Sequence, residues 1–168
     1  MPALETALEL PSAPSATATR GIYVHIPFCL VHCPYCDFNA HAGLDGLKAP
    51  YVEALLREIR TYADGAPVDT VFFGGGTPTE LSPRELSRIL RVIRSGFELS
   101  PDAEVSIEAN PESVGRACFD GLLEAGFTRV SLGIQSLAPE VWKRTPVGDR
   151  CPSAVVALTG PRPRTPAA

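Results

Sequence analysis

The chain has 168 residues, 45% of them apolar, and a formal charge of −4; it is long enough for one domain with a hydrophobic core and lacks the basic excess of a nucleic-acid binder. No apolar run reaches the roughly 18 residues of a membrane span, and no basic start precedes an apolar stretch, so a cytoplasmic protein without DNA, RNA or a membrane span is expected. Of five cysteines, Cys29, Cys33 and Cys36 fall within eight residues, which suits a metal or cluster site in a reducing compartment better than disulfides.

Residues 1–19, rich in Pro, Ala, Ser and Thr with no sustained period, read as a flexible leader. The β-branched and aromatic stretch 21–26 predicts a buried strand that Pro27 ends, and the three-cysteine loop follows it. Over 51–62, Val52, Leu55, Leu56, Ile59 and Tyr62 recur at spacings of three and four, which predicts a first helix with one apolar stripe. The apolar run 68–73 predicts a second strand, stopped by Gly74-Gly75-Gly76-Thr77. Ser82-Pro83-Arg84-Glu85 then reads as a capping box with proline at the first helical position, opening a helix that buries Leu86, Ile89, Leu90 and Ile93.

Polar–apolar alternation over 104–108 predicts a third strand, broken by Asn110-Pro111. Phe119, Leu122 and Leu123 mark a further helix capped by Gly126, and 129–134 supplies a fourth strand. The order βαβαβαβ predicts an α/β chain with a parallel sheet and right-handed crossovers, either doubly wound or part of a β/α barrel; periodicity leaves both open. In both, ligands gather at the C-terminal strand ends. There the sequence puts the cysteine loop, the glycine run, Glu108 with Asn110, and Gln135 with Ser136.

Cys29-Leu-Val-His-Cys33-Pro-Tyr-Cys36 offers three thiolates from one short loop. Structural zinc and an ordinary [4Fe-4S] cluster each want four protein ligands, so the missing fourth is informative. One alternative is a zinc-binding module completed by His25, His32 or His41. The glycine run lets backbone approach a ligand with free N–H and C=O groups, but it lacks the Lys and spacing of a phosphate-binding P-loop. Cys118 falls in a helical pattern and reads as a structural thiol, and Cys151 stands apart.

The C-x3-C-x2-C loop after a strand, with the glycine run downstream, resembles the radical SAM superfamily. Tyr23-Val-His-Ile-Pro-Phe-Cys29 and Phe73-Gly-Gly-Gly-Thr-Pro-Thr79 resemble its branch of HemW-type heme chaperones and oxygen-independent coproporphyrinogen III oxidases. The resemblance runs from about residue 20 to 136. It implies an incomplete radical SAM (β/α) partial barrel of about four parallel strands with intervening helices. It also implies a [4Fe-4S] cluster on Cys29, Cys33 and Cys36, with one iron left open to S-adenosylmethionine (SAM). SAM contacts carried over by motif are Tyr23, Tyr35, Gly75, Gly76, Thr77, Glu108 and Gln135; no catalytic side chain is assigned.

Within the branch the oxidases typically carry a fourth cysteine two residues after the third, where this chain has Phe38, as the chaperones do. The resemblance therefore implies heme binding and transfer, with a heme or porphyrin ligand and a heme-acceptor protein as partners. The alternative is porphyrinogen oxidation through a 5′-deoxyadenosyl radical. Residues 20–141 form the expected core domain. Residues 142–168 hold Pro146, Pro152, Pro161, Pro163 and Pro166 with no helical stripe, which leads us to expect an irregular, Pro-rich tail on a truncated chain whose reading frame has shifted.

Overall fold

The computed structural model describes residues 20–33, 35–111 and 113–133. The leader, Gln135, Cys151 and the Pro-rich tail lie outside the described residues. Among these, the elements in chain order are β1 (Arg20–Ile26), β2 (Phe28–Cys29), β3 (His41–Ala42), α1 (Lys48–Tyr62), β4 (Pro67–Gly75), α2 (Pro83–Gly96), β5 (Glu98–Ala109), α3 (Arg116–Ala125) and β6 (Arg129–Leu132), with single 3-10 turns at Asp45–Leu47 and Pro78–Glu80.

The main sheet has the order β1-β4-β5-β6, parallel throughout. A doubly wound sheet reverses its strand order at a switch point. Here the order never reverses, so successive right-handed crossovers lay every helix on one face. Accordingly α1 packs on α2 and α2 on α3. The alternatives that periodicity left open are thereby resolved toward an arc of barrel.

Strand alternation makes the two faces chemically different. Val24 and Ile26, Val71 and Phe73, Val105, Ile107 and Val130 turn toward the helices and are buried. They meet Val52, Leu56 and Ile59 of α1, Leu86, Ile89, Leu90 and Ile93 of α2, and Leu122 of α3 in one core. The other face carries Tyr23 and His25, Thr70 and Phe72, Glu104, Ser106 and Glu108, with Tyr23 level with Phe72, Phe72 with Ser106, and Ser106 with Arg129. Arg129 pairs there with Glu104 at 3.3 Å, and Ser106 donates to the same carboxylate.

Local signals explain the helix ends. The Ser82 side chain accepts from the Glu85 N–H while the Glu85 carboxylate accepts from the Ser82 N–H at 2.8 Å, and Pro83 opens the first turn of α2. Gly126, at φ 95°, ends α3 in the left-handed region and donates to the Leu123 carbonyl. Two stripe expectations are corrected: Tyr62 is 69% exposed and Leu123 44% exposed. Tyr62 is the last residue of α1, and Leu123 lies one residue round from buried Leu122 on α3. The third strand also starts earlier than alternation predicts, at Glu98, and the two-residue ladder β2–β3 has no periodic signature at all.

Candidate functional site

Pro27 separates β1 from β2, so Cys29 leaves the sheet edge on a segment of its own. The parallel pairing of Phe28–Cys29 with His41–Ala42 closes the loop that carries Cys33 and Cys36. A turn bond from the Cys36 N–H to the Cys33 carbonyl (3.0 Å) holds those two together. All three cysteines are free and partly buried. Burial pushes the Cys29 thiol up, the Thr77 hydroxyl beside it works the other way, and the neighbouring Cys36 and Cys33 add to the rise.

The glycine run enters as the end of β4. Gly75 sits at φ 116°, where only glycine is at ease, and a Cβ there would lie 2.8 Å from the His25 ring. A Cβ on Gly76 would lie 2.6 Å from the Phe28 carbonyl oxygen and 2.9 Å from Cys29 Sγ. The run is therefore pressed against both the first strand and the first cysteine.

Its N–H groups are not free, contrary to expectation. Gly76 donates to the Ile26 carbonyl (2.8 Å), Thr77 to the Phe28 carbonyl (2.7 Å), and Gly75 to the Glu108 carboxylate. The N–H groups of Gly75, Gly76 and Thr77 are therefore already engaged within the chain. Glu108, at the end of β5, is half-buried, and desolvation raises its carboxyl above the usual range despite the Gly75 donor.

Tyr23 and Glu108 flank Gly74, whose missing Cβ would stand 3.1 Å from the tyrosine ring and 3.2 Å from Glu108 Oε2. The Tyr23 ring also stacks on Phe72, with centroids 6.0 Å apart. Burial, then the Glu108 charge, raises the Tyr23 phenol. His25 lies 3.1 Å from the Tyr23 hydroxyl through Nδ1 and 2.9 Å from the Asn39 carbonyl through Nε2. A carbonyl only accepts, so Nε2 carries the proton, and in the neutral ring Nδ1 accepts from Tyr23. The phenol oxygen is then left to accept from a ligand.

Gly75, Gly76, Thr77, Glu108 and the three cysteines thus lie at or just beyond adjoining strand ends, with Tyr23 three residues inside the end of β1. Tyr35 is carried by the cysteine loop and is half-exposed. Gln135 lies outside the described residues. The residues missed from sequence are Asn39 and Tyr51, whose hydroxyl donates to the His25 carbonyl at 2.5 Å; His25, weighed there as a zinc ligand, instead links Tyr23 to Asn39. Only the i, i+2 spacing of Tyr23 and His25 on one strand face signalled any part of that link.

Among the described residues, no three His, Cys, Asp or Glu side chains converge on a single metal. Both His25 nitrogens are engaged, and His32 and His41 are exposed, which counts against a zinc site completed by histidine. Three thiols in one closed loop fit a [4Fe-4S] cluster, and the half-buried Glu108 carboxylate nearby fits a cationic group.

The sequence model of the radical SAM superfamily matches residues 23–154. The chain is 47% identical over 141 residues to the heme chaperone HemW of Mycobacterium tuberculosis (strain CDC 1551 / Oshkosh), covering 80% of this chain and 36% of that protein. It is 35% identical over 159 residues to the anaerobilin synthase of Escherichia coli O157:H7, covering 92% of this chain and 36% of that one. A solved structure of coproporphyrinogen III oxidase from Escherichia coli, a radical SAM enzyme, superposes with a TM-score of 0.69 at 36% identity, over 73% of this chain and 29% of that one. The chain spans about a third of the length of the curated relatives it matches.

Proposed function

The chain belongs to the radical SAM superfamily, and from that membership we propose that Cys29, Cys33 and Cys36 hold a [4Fe-4S] cluster, with SAM bound beside it, in a protein of heme binding and transfer. The observation that carries this reading is three free thiols on one closed loop, the first of them pressed by a glycine run that starts beside the Tyr23 ring and the half-buried Glu108 carboxylate. An ammonium and a sulfonium are cationic, and a half-buried carboxylate with a raised pKa is the group that gains most from their arrival. A [4Fe-4S] cluster held by these three thiols would supply the one-electron reduction of SAM.

The chain's own residues do the rest. Tyr23, held by His25 and Phe72, would fix one side of the SAM site; Gly74 lets Phe72, Tyr23 and Glu108 close over the strand there; Thr77 abuts the first cysteine; and Tyr35, with Gln135 by motif, is proposed as a further contact. No helix among the described residues is long and apolar enough to cross a membrane, and a reducing cytoplasm would keep the thiols available.

Heme transfer is favoured over porphyrinogen oxidation by Phe38, which stands 72% exposed on the cysteine loop where an oxidase of this branch would carry a further cysteine. The ligand is then heme or a porphyrin, and the partner a heme-acceptor protein.

Anaerobic reconstitution with iron and sulfide should load about four irons per chain. Cys29→Ser, Cys33→Ser and Cys36→Ser should each abolish loading, and Cys118→Ser should not. Equal loading in all four variants overturns the ligand set. Hemin added to the loaded chain should give a saturable Soret shift, and coproporphyrinogen III should not be decarboxylated; turnover without hemin binding would move the chain to the oxidase reading.

A further inference from the structure

The glycine run does more at Cys29 than approach a ligand. Thr77 is fixed from two sides: its N–H donates to the Phe28 carbonyl (2.7 Å), and its carbonyl accepts from the Glu80 N–H (2.9 Å) at the following turn. That turn is tied down in its own right, because Glu80 pairs with Lys48 at 3.1 Å and both side chains are largely buried. Backbone bonds and an ion pair therefore hold the segment from which the threonine side chain projects. It points at Cys29, with Oγ1 3.6 Å from Sγ.

As a thiol, Cys29 could donate or accept across this contact. As a thiolate bound to iron it has no proton, and only the Thr77 hydroxyl can donate. Gly76 makes the approach possible, since a Cβ at that position would itself meet Sγ at 2.9 Å.

We propose that Thr77 is a positioning residue whose hydroxyl donates to the Cys29 sulfur and raises the reduction potential of the cluster. The inference rests on the cluster reading above and adds a regulator of that cluster. Hydrogen bonds to ligand sulfur withdraw electron density from it and favour the reduced cluster. Thr77 acts through Cys29, so its effect is present whether or not SAM is bound.

The test is a redox titration of the reconstituted 168-residue chain without SAM, followed by EPR of the reduced cluster, in wild type, Thr77→Val and Thr77→Ser. Valine keeps the shape and the backbone bonds and lacks the hydroxyl; serine keeps the hydroxyl. The expected result is a midpoint shifted to more negative potential in the valine variant and restored toward wild type in the serine variant.

A loaded valine variant with the wild-type midpoint overturns the inference and leaves the cluster reading intact. So does a serine variant shifted as far as valine. If valine fails to load, serine decides: loading by serine at the wild-type midpoint supports the hydroxyl's role, and failure of both assigns Thr77 to packing and overturns it. Wild type that takes up no iron defeats the cluster reading itself, and this inference with it.

Discussion

Burial lifts the Glu108 carboxyl above its ordinary 4.5, and the Gly75 N–H offsets only part of that rise. The folded chain therefore binds this proton more tightly than the unfolded chain does. Stability conferred by the protonated form is complete below the unfolded pKa, declines as pH rises through the folded pKa, and stays lost above it. Glu108→Gln should raise the thermal midpoint of the ligand-free chain at pH 7 and flatten its decline with pH above 4.5. The same change should weaken SAM binding by roughly 1.5–3 kcal/mol, the worth of a hydrogen bond to a charged group. Scanning calorimetry and SAM titration read the two effects, and a lower midpoint with unchanged SAM affinity would remove Glu108 from the site. A residue kept against the interest of stability is what a binding role predicts.

At the scale of elements, α2 shows how closely local chemistry fixes a boundary. Ser82→Ala removes the acceptor for the Glu85 N–H and should cost about 1 kcal/mol in urea unfolding, with iron loading unchanged; a cost near zero would mean that packing alone starts the helix. This cap was legible because its signal lies in four consecutive residues. The apolar stripes of α1 and α2 were legible for a related reason, since period 3.6 needs no partner to be seen. What period cannot say is where neighbours stop, and so Tyr62 and Leu123 face solvent. The cysteine loop and glycine run were recognisable as motifs, but the state of the run's N–H groups depends on Ile26, Phe28 and Glu108, all distant along the chain. The His25–Asn39 bond likewise joins residues fourteen apart and leaves no mark in either segment.

Taken as a whole, the molecule is a sheet dry on one face and polar on the other, and neighbouring residues of β5 report the difference. Ile107 is fully buried against the helices, and Ile107→Ala should cost about 2–5 kcal/mol. Glu104, on the opposite face and half-exposed in its pair with Arg129, should cost less, about 1–1.5 kcal/mol as Glu104→Ala, most of it from the buried Ser106 hydroxyl left without its acceptor. Comparable losses in chemical denaturation would contradict the one-sided arrangement. The ladder β2–β3, only two residues long, bears on the molecule at this scale as well. It brings together the ends of an eleven-residue span, 30–40, that holds two of the three thiols. Closing a flexible span of that length costs roughly 2 kcal/mol of chain entropy, and here the closure is complete once the sheet has folded. Uptake of a cluster would then begin from thiols already confined to a small volume, and its loss would leave their tether standing, so that an emptied chain remains ready to be refilled without passing through the unfolded state.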